Sequence, residues 1–318
     1  MAGFSEQINL VLKLLLLMVV GFFLRRKDVI NAEGKEVITD LVLYITLPCN
    51  ILNSFMASSI EGERGNLMHI FLISIVIQFG SLALSKVLFI RSKETHRDSL
   101  EYGIVVQNSG ILGTPISEGL FGEAGVLLAS VYLIPMRLMM WTFGMAIFTK
   151  KVERNSLLKA ITHPCILAVF IGMTLMLCRV ELPSVIESTI SSIGVCNTAL
   201  SLILVGTIMG DMDLKLIFHP DSIYFAVVRL ILIPFIVFLL CNLAFGGSLA
   251  EILTGVSLDS EEKMIRNVCV ILAGMPAGST TPIMALKYGS DESFGSAIVA
   301  LTTTLSLAAI PLWCSFLS

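Results

Sequence analysis

The stretch QNSGILGTPI (Gln107–Ile116) interrupts an apolar segment with glycine, proline and small polar residues, and GMPAGSTTPI (Gly274–Ile283) does the same nearer the other end of the chain. Glycine leaves helical geometry at low cost, whereas proline lacks a backbone donor and clashes with the carbonyl four residues before it. Two apolar helices are therefore predicted to break within these stretches. The composition of the whole chain indicates whether water or lipid surrounds these helices.

The chain as a whole is too apolar for a protein that exposes its surface to water. Of its 318 residues, 55% are hydrophobic and 14% are charged, and its mean hydropathy is +0.89. Soluble domains carry about 25% charged residues. The composition predicts an all-α integral membrane protein in contact with lipid. The formal net charge of −3 argues against nucleic acid as a partner.

Neither the cysteines nor the histidines show the spacing of a metal or disulfide site. The seven cysteines are scattered within or beside apolar runs, where they are predicted to pack as small hydrophobic residues. The four histidines, in or beside predicted loops, are His69, His96, His163 and His219. We expect no cofactor and no metal. The motifs Gly-x-Ser-x-Gly and His-Glu-x-x-His of intramembrane proteases are absent from the sequence, so no enzymatic activity is predicted.

Apolar segments of about 20 residues, the length that crosses a bilayer core, recur ten times. The predicted spans are 5–25, 33–57, 67–90, 98–121, 124–149, 162–178, 183–210, 221–245, 263–287 and 291–317. The basic cluster that follows the first span identifies that span as a transmembrane helix rather than a cleaved signal peptide. The most hydrophilic connection is central. It divides the chain into a first five-helix set (1–149), a cytoplasmic linker (150–161) and a second set (162–318).

The distribution of basic residues predicts the orientation of the chain. With the N-terminus outside, thirteen Lys and Arg residues fall in inward loops and four in outward ones. The inward set is Arg25, Arg26, Lys27, Lys35, Arg91, Lys93, Arg97, Lys150, Lys151, Arg154, Lys159, Lys215 and Lys287, and the outward set is Arg64, Arg179, Lys263 and Arg266. The excess of positive charge inside predicts that both termini are extracytoplasmic.

The two interrupted spans resemble each other. Thr114-Pro115-Ile116 aligns with Thr281-Pro282-Ile283, and Phe121-Gly122 then aligns with Tyr288-Gly289 without a gap. Each copy lies in the fourth helix of its set. Because five is odd, the second set must cross the membrane in the opposite sense. Inverted repeats with interrupted helices at matching positions are typical of the binding site of a secondary transporter. Kinks that serve packing alone are the alternative.

The breaks supply the chemistry of an anion site. Each interrupted span restarts a half-helix whose N-terminus carries a partial positive charge near the bilayer midplane. Backbone groups freed by the breaks must line a cavity or pair with polar neighbours. Such neighbours are Asn108, Ser109, Thr114, Ser279, Thr280 and Thr281, and the flexible positions include Gly110 and Gly278. A small carboxylate suits this environment.

Polar residues elsewhere in the spans are further candidates, because each ionised group at mid-bilayer costs at least about 2.5–3.5 kcal/mol. Arg137 lies too deep to reach the interface and is predicted to face the interior, with a substrate or gating role. Glu118 is the candidate for proton coupling, and Gln107 is a second candidate ligand for a coupling ion. Asn50 either lines the site or satisfies backbone freed by Pro48. Arg229, nearer the inner face, is expected to extend its charge to the interface.

Several segments resemble the auxin efflux carrier family of membrane permeases, within the bile acid/arsenite/riboflavin transporter superfamily. They are GFFLRRKDVI (21–30), LVLYITLPCNIL (41–52), NSGILGTPISEGLFG (108–122) and GMPAGSTTPIMALKYGSDESFGSAIVALTTTLSLAAIPL (274–312). The resemblance covers nearly the whole chain. It implies ten transmembrane helices in two inverted five-helix repeats, with broken helices 4 and 9 that cross. It also implies a scaffold domain and a transport domain.

The resemblance further implies the transport of organic anions, which are auxin in plants and malate or malonate in bacteria. The crossover residues would be Asn108, Ser109, Gly110, Pro115 and 276–282, a range that includes Pro276 and Ala277. Plant carriers have Asn-Pro at both crossings, whereas this chain has Asn108-Ser109 and Met275-Pro276. Auxin specificity is therefore doubtful. The short central loop is typical of a bacterial member in the inner membrane.

Together these features predict a secondary carrier that moves a small organic anion by alternating, elevator-like access. A channel, or a receptor that senses an anion without moving it, is the alternative. Uniport, proton symport and sodium symport all fit the residues. A homodimer is one assembly that the sequence allows.

Overall fold

A computed structural model of the chain describes residues 4–57, 60–149, 161–180, 182–210, 218–245 and 258–317. Within these ranges the chain is almost entirely helical and contains no β-strand. The helices are α1 (Phe4–Arg26), α2 (Ala32–Leu41), α3 (Leu47–Ala57), α4 (Ile60–Leu88), α5 (Glu94–Val105), α6 (Thr114–Met139), α7 (Met145–Thr149), α8 (Pro164–Cys178), α9 (Ser184–Gly210), α10 (Pro220–Val227), α11 (Ile233–Ala244), α12 (Ser260–Ala273), α13 (Thr280–Lys287) and α14 (Glu292–Leu317). The predicted linker lies, apart from its last residue, outside the described residues.

Several helical stretches are long and apolar enough to cross a membrane. Six occur among the described residues, namely Ala32–Met56, Leu67–Leu88, Ser109–Met139, Ser184–Thr207, Pro220–Ala244 and Glu292–Leu317. A shorter apolar helix is Pro164–Cys178. The predicted fourth and ninth spans are split, and their first parts, α5 and α12, have 12 and 14 residues. The helical, multi-pass character is confirmed, whereas the number ten and the inverted repeat stay predictions.

Four short π-helical turns widen the helices, at Val42–Thr46, Ser109–Gly113, Met140–Gly144 and Val228–Leu232. Three of them end two residues before a proline, which is Pro48, Pro115 or Pro234. A proline ring clashes with the carbonyl four residues earlier, and a widened turn moves that carbonyl away. The prolines thus reshape the helices locally without ending them.

Apart from α2, which contacts α9, the helices form two groups. In the first, α1 packs along α9, and α3 packs against both α8 and α9. In the second, α4 packs on α5 and α6, α12 packs on α6 and α11, and α13 packs on α14. We call them the glycine-packed group (α1, α3, α8 and α9) and the broken-helix group (α4–α7 and α10–α14). The second group contains both interruptions.

Glycines bring the backbones of the first group into direct contact. A Cβ atom on Gly21 would lie 2.0 Å from the carbonyl oxygen of Ile203, and one on Gly206 would lie 2.0 Å from that of Met18. A Cβ on Gly172 would likewise lie 2.7 Å from the Phe55 ring. Small residues permit such close approach between membrane helices. The group is therefore tightly interlocked.

The chain reverses direction within α6, at Gly122. This glycine has φ 63° and ψ −147°, a conformation that side-chain-bearing residues rarely adopt. A Cβ on Gly125 would lie 2.2 Å from the carbonyl oxygen of Ser117, eight residues earlier, so the segments on either side of the reversal touch. The reversal coincides with the predicted boundary between the fourth and fifth spans.

Candidate functional site at the paired helix breaks

The two predicted breaks lie against each other and pair through their backbones. Helix α5 ends at Val105 and α12 ends at Ala273. The N–H of Asn108 donates to the carbonyl of Pro276 at 2.8 Å, and that of Gly278 donates to Val106 at 2.9 Å. These bonds form an isolated antiparallel bridge that joins Gln107 and Ala277. Much of the backbone freed by each break is therefore satisfied by the other break.

Side chains fix the paired segments to their surroundings. The hydroxyl of Ser109 donates to the carbonyl of Leu272 at 2.8 Å, which links the first half-helix to the end of α12. The N–H of Ala277 donates to the hydroxyl of Thr302 on α14 at 3.2 Å. A Cβ on Gly278 would lie 2.9 Å from the carbonyl oxygen of Val106, so this position has no room for a side chain.

Threonines close the first turns that follow the breaks. Thr114 donates to the carbonyl of Ser109 at 3.3 Å, and Thr281 donates to the carbonyl of Gly278 at 2.7 Å. The hydroxyl of Thr280 lies 2.9 Å from that of Tyr102 on α5. The aligned residues Thr114 and Thr281 thus play similar local roles. Ser279, beside them, is partly exposed.

Arg229 fastens the C-terminal ends of the helices that precede the breaks. Its side chain is 1% exposed. Its Nε donates to Met275 at 2.8 Å, Nη1 to Ile104 at 3.1 Å and Nη2 to Ala273 at 2.6 Å, in each case to a backbone carbonyl. A cation at helix C-termini is electrostatically favourable. The expectation that Arg229 reaches the membrane interface is wrong, because these three carbonyls hold its guanidinium inside the protein.

Arg137 lies where the first half-helix begins. Its side chain is 5% exposed, so the prediction that it faces the interior is confirmed. Its Nη2 lies 3.4 Å from the position that a Cβ on Gly110 would occupy. Gly110 is partly exposed, whereas its neighbours Ser109 and Ile111 are buried. The guanidinium of Arg137 therefore lies next to Gly110, the one partly exposed residue of this turn.

Several buried donors near this turn lack a hydrogen-bond partner among the described residues. They are Nη1 of Arg137, Nδ2 of Asn108, Nδ2 of Asn197 and the hydroxyl of Ser117. Helix α9, which carries Asn197, packs against the turn Ser109–Gly113. Further unpaired buried atoms lie on Gln78, Ser99, Asn242 and Thr303, in α4, α5, α11 and α14. Three of these four atoms are the nitrogens of Arg137, Asn108 and Asn197, each of which can donate to an anion.

Asn50 and Glu118 belong to a separate contact between the two helix groups. Nδ2 of Asn50 donates to Oε2 of Glu118 at 3.2 Å, and the hydroxyl of Thr198 donates to the same oxygen at 2.6 Å. Glu118 lies in the broken-helix group, and its two donors lie in α3 and α9 of the glycine-packed group. The Asn50 side chain thus pairs with a carboxylate across the boundary between the two groups. Both roles considered for Asn50 stay predictions. Gln107, the other coupling candidate, lies in the bridge, and its Nε2 is 3.5 Å from the Tyr132 hydroxyl.

The structure corrects the location of one residue and adds two others. The sequence analysis places the Arg229 charge at the interface from its distance to the end of the apolar run, although Arg229 lies well inside the span Pro220–Ala244. Asn197 and Thr198 were not singled out. The dipeptide Cys49-Asn50 recurs twice in the second set, as Cys196-Asn197 and Cys241-Asn242, so this signal points to Asn197 and equally to Asn242.

Comparison with known proteins identifies the family. A family model described as "Membrane transport protein", an auxin efflux carrier-like family, matches residues 7–314. An uncharacterized transporter of Methanothermobacter thermautotrophicus is 23% identical over 98% of both chains. An uncharacterized transporter of Methanocaldococcus jannaschii is 22% identical over 96% of this chain and 97% of its own length. The uncharacterized transporter YfdV of Escherichia coli is 22% identical over 95% of each chain.

The matches cover the chain from end to end and include both helix breaks. The predicted resemblance is confirmed, and the family is one of transport proteins rather than enzymes. The chain is a multi-pass membrane protein of the auxin efflux carrier-like family of membrane transport proteins.

Proposed function

We propose that this protein is a secondary transporter that moves small organic anions across the plasma membrane by alternating access. The observation that carries the proposal is the set of buried, unpaired donors around the turn Ser109–Gly113. An unpaired buried donor costs about 1–3 kcal/mol, and more when it is charged. A carboxylate accepts several hydrogen bonds at once, so its arrival would satisfy Arg137, Asn108 and Asn197 together.

Helix termini add to this preference. The N–H groups of the first turn of a helix have no partners within the helix and carry a partial positive charge. One half-helix begins at Ser109 and another at Thr280, directly after the paired breaks. In the proposed fold the two run in opposite senses, so both positive ends face the junction. Arg137 adds a full charge to these partial ones.

The backbone supports the proposed inverted repeat. Among the described residues, Gly122 and Gly289 are the two glycines with positive φ, at 63° and 73°. They are 167 residues apart, the same offset that aligns the breaks. The non-glycine residues with positive φ, Asp28 and Arg179, follow α1 and α8, which are the first helices of the two sets. We propose ten helices in two inverted sets of five on this basis.

The two helix groups suggest which parts move. We assign the broken-helix group as the transport domain, because it contains the junction, and the interlocked glycine-packed group as the scaffold. Glu118 accepts from Asn50 and Thr198 across the boundary between them. Protonation of Glu118 would weaken these bonds, so a proton on this carboxylate would favour movement. Elevator-like displacement of the transport domain would then carry Arg137 and its ligand from one face to the other.

The contacts of Arg229 indicate which ion is coupled to transport. A sodium ion at the junction would need clustered oxygen ligands, and the carbonyls of Ile104, Ala273 and Met275 already accept from the guanidinium. A fixed cation thus takes a place that a sodium ion could otherwise occupy. This favours proton coupling or uniport over sodium symport.

The class of substrate is proposed from the Arg137 charge and the neighbouring amides. A single guanidinium at the turn balances one carboxylate, and the amides of Asn108 and Asn197 suit further oxygen atoms of the ligand. Acids similar to malate or malonate meet these requirements, as do aromatic acids of the auxin type. From the short central loop we propose a bacterial inner-membrane location, and from the distribution of Lys and Arg we propose that both termini lie outside.

The test is charge movement on a solid-supported membrane by protein reconstituted in liposomes. Mono- and dicarboxylates are applied with and without sodium and with and without a pH gradient. We expect currents for some acids that persist without sodium and are absent from the double variant Asn108→Ala, Pro276→Ala. Tracer counterflow detects electroneutral exchange, which produces no current.

The outcomes separate the rival functions. Currents that saturate with acid concentration support a carrier, whereas currents that rise without saturation indicate a channel. Binding of an acid without current and without counterflow would contradict transport and leave a sensor. A strict requirement for sodium would contradict the role assigned to Arg229.

A further inference from the structure

Two histidines and two aspartates meet at one end of the broken-helix group, away from the paired breaks in the sequence. His96 is the third residue of α5, and His219 and Asp221 lie at the start of α10. Nδ1 of His96 lies 3.0 Å from Oδ2 of Asp221, and Nδ1 of His219 lies 3.8 Å from the same oxygen. One potential ligand atom from each of the three lies within 4.8 Å of the others.

These separations match the coordination sphere of a small divalent metal ion. Zinc binds histidine nitrogen and carboxylate oxygen at about 2.0–2.2 Å in a tetrahedron, which places neighbouring ligand atoms about 3.3 Å apart. The 3.0 Å between Nδ1 of His96 and Oδ2 of Asp221 is close to that value. Nδ1 of His219 accepts the backbone N–H of Asp221 at 3.2 Å and caps α10, which leaves Nε2 of His219 as the nitrogen available to a metal. Two imidazoles and one carboxylate leave a fourth position for water. The donor set suits zinc and disfavours magnesium or calcium, which prefer oxygen ligands throughout.

The second nitrogen of His96 has its own acidic neighbour. Nε2 of His96 lies 3.8 Å from Oδ2 of Asp291, which immediately precedes α14. The His96 ring is also stacked on Phe294, with the ring centroids 3.8 Å apart and the planes at 4°. A carboxylate that holds the far nitrogen of a metal-binding imidazole orients the ring and raises its basicity. Stacking on Phe294 thus fixes the plane of the His96 ring, and the Asp291 carboxylate lies beside its second nitrogen, beyond hydrogen-bond distance.

The three side chains of the cluster differ in burial. His96 is buried, whereas the side chains of His219 and Asp221 are 30% and 21% exposed. The His96 and His219 rings pack edge to face, with their centroids 4.9 Å apart and their planes at 89°. The exposed parts of His219 and Asp221 give an ion access to the cluster.

We propose that His96, His219 and Asp221 bind one zinc-like divalent metal ion, with Asp291 orienting His96. The sequence analysis expected no metal, because His96 and His219 are separated by more than 120 residues and share no motif. The ion would tie the start of α5, which leads to the first break, to the start of α10, which leads to Arg229. Asp291 adds α14 to this connection. The metal would thereby fasten three elements of the broken-helix group and regulate its movement, a role beyond the proposed transport activity.

Metal binding is tested on the full-length protein, purified in detergent and stripped with a chelator. Zinc is titrated in competition with a chromogenic indicator, and Co²⁺ absorption in the visible range reports the geometry. We expect one ion per chain and the intense visible bands of tetrahedral cobalt. Two variants should abolish both signals. The variant His219→Ser keeps a residue that caps α10, and Asp221→Asn keeps the size of the side chain.

Two further variants sharpen the result. His69→Ala removes an exposed histidine outside the cluster and should leave binding unchanged. Asp291→Asn should weaken zinc binding by about 10–100-fold while leaving one ion per chain, because it removes only the orienting carboxylate. Equal zinc binding by the wild type and His219→Ser, with folding of both verified by their thermal melting curves, would overturn the proposal. So would the absence of stoichiometric binding to the wild type.

Discussion

Arg229 and Arg137 are both buried in the broken-helix group, near the paired breaks, and their surroundings differ. Arg229 donates to three carbonyls at the ends of the helices that precede the breaks. Arg137 lies beside the start of a half-helix, over the partly exposed Gly110, with one nitrogen unpaired. The negative ends of the helices thus have a cation from the protein. The positive end at Ser109 has an additional cation, Arg137, for which the described residues show no ion pair.

This difference separates a structural charge from a ligand-binding charge. A buried arginine that is fully hydrogen-bonded stabilises the fold, whereas a buried arginine with an unpaired nitrogen destabilises it until a ligand arrives. The two sites should therefore respond to the same substitution in opposite ways. The following variants test that contrast, beginning with the largest expected effect.

Arg229→Met should have the largest effect, because it leaves three buried carbonyls without a donor. Hydrogen bonds to charged groups contribute about 1.5–3 kcal/mol each, so we expect a loss of at least about 3 kcal/mol in unfolding free energy. Little folded protein should be recovered from membranes. Fluorescence-detected size-exclusion chromatography and thermal melting in detergent measure this loss. A variant as stable as the wild type would show that Arg229 does not hold the breaks together.

Gly278→Val should abolish transport, because its Cβ would lie 2.9 Å from the Val106 carbonyl and force the paired segments apart. Overpacking of this kind typically costs about 1–3 kcal/mol, so some folded protein should remain. Uptake of a labelled substrate into proteoliposomes measures the effect. Gly80→Val is the matched control, since a Cβ at Gly80 meets nothing within 4 Å. Normal uptake by Gly278→Val would place the junction outside the moving pathway.

Arg137→Met should reduce substrate affinity by about 100-fold or more, because a hydrogen-bonded charge pair that is desolvated contributes about 3 kcal/mol. Its melting temperature in the absence of substrate should equal or exceed that of the wild type. Arg137→Lys keeps the charge and should retain part of the affinity. A melting temperature that falls as far as that of Arg229→Met would contradict the distinction between the two arginines.

Asn108→Ala should have the smallest effect, a loss of affinity of several-fold, because it removes one neutral donor worth about 1 kcal/mol. Asn108→Asp places a negative charge at the same position and should weaken the binding of an anion much further. Both affinities can be read from the concentration dependence of the transport current. Tighter binding by Asn108→Asp would indicate a cationic substrate.

The sequence predicts the breaks well, because glycine and proline act locally. Pro115 and Pro282 lie within the first two turns that follow the breaks, and Gly122 and Gly289 have positive φ at the end of each half-helix. The family was likewise recognisable from contiguous segments. The local sequence is therefore sufficient to predict where the two helices break.

The contacts between the breaks depend on residues that are far apart in the chain. Nothing local indicates that Asn108 pairs with Pro276, or that Arg229 turns towards carbonyls rather than the interface. The distance of Arg229 from the end of an apolar run does not predict where its charge lies. The backbone carbonyls at the breaks provide partners inside the protein, and this distance takes no account of them. His96 and His219 were missed for the same reason.

The most direct test of the central claim is to locate a bound carboxylate. A brominated analogue of a transported acid, soaked into crystals of the wild type and of Arg137→Met, would be found by the anomalous scattering of bromine. The account predicts a carboxylate oxygen about 2.7–2.9 Å from Nη1 of Arg137 in the wild type, and no bound acid in the variant. A carboxylate bound away from Arg137 and the turn Ser109–Gly113 would contradict it.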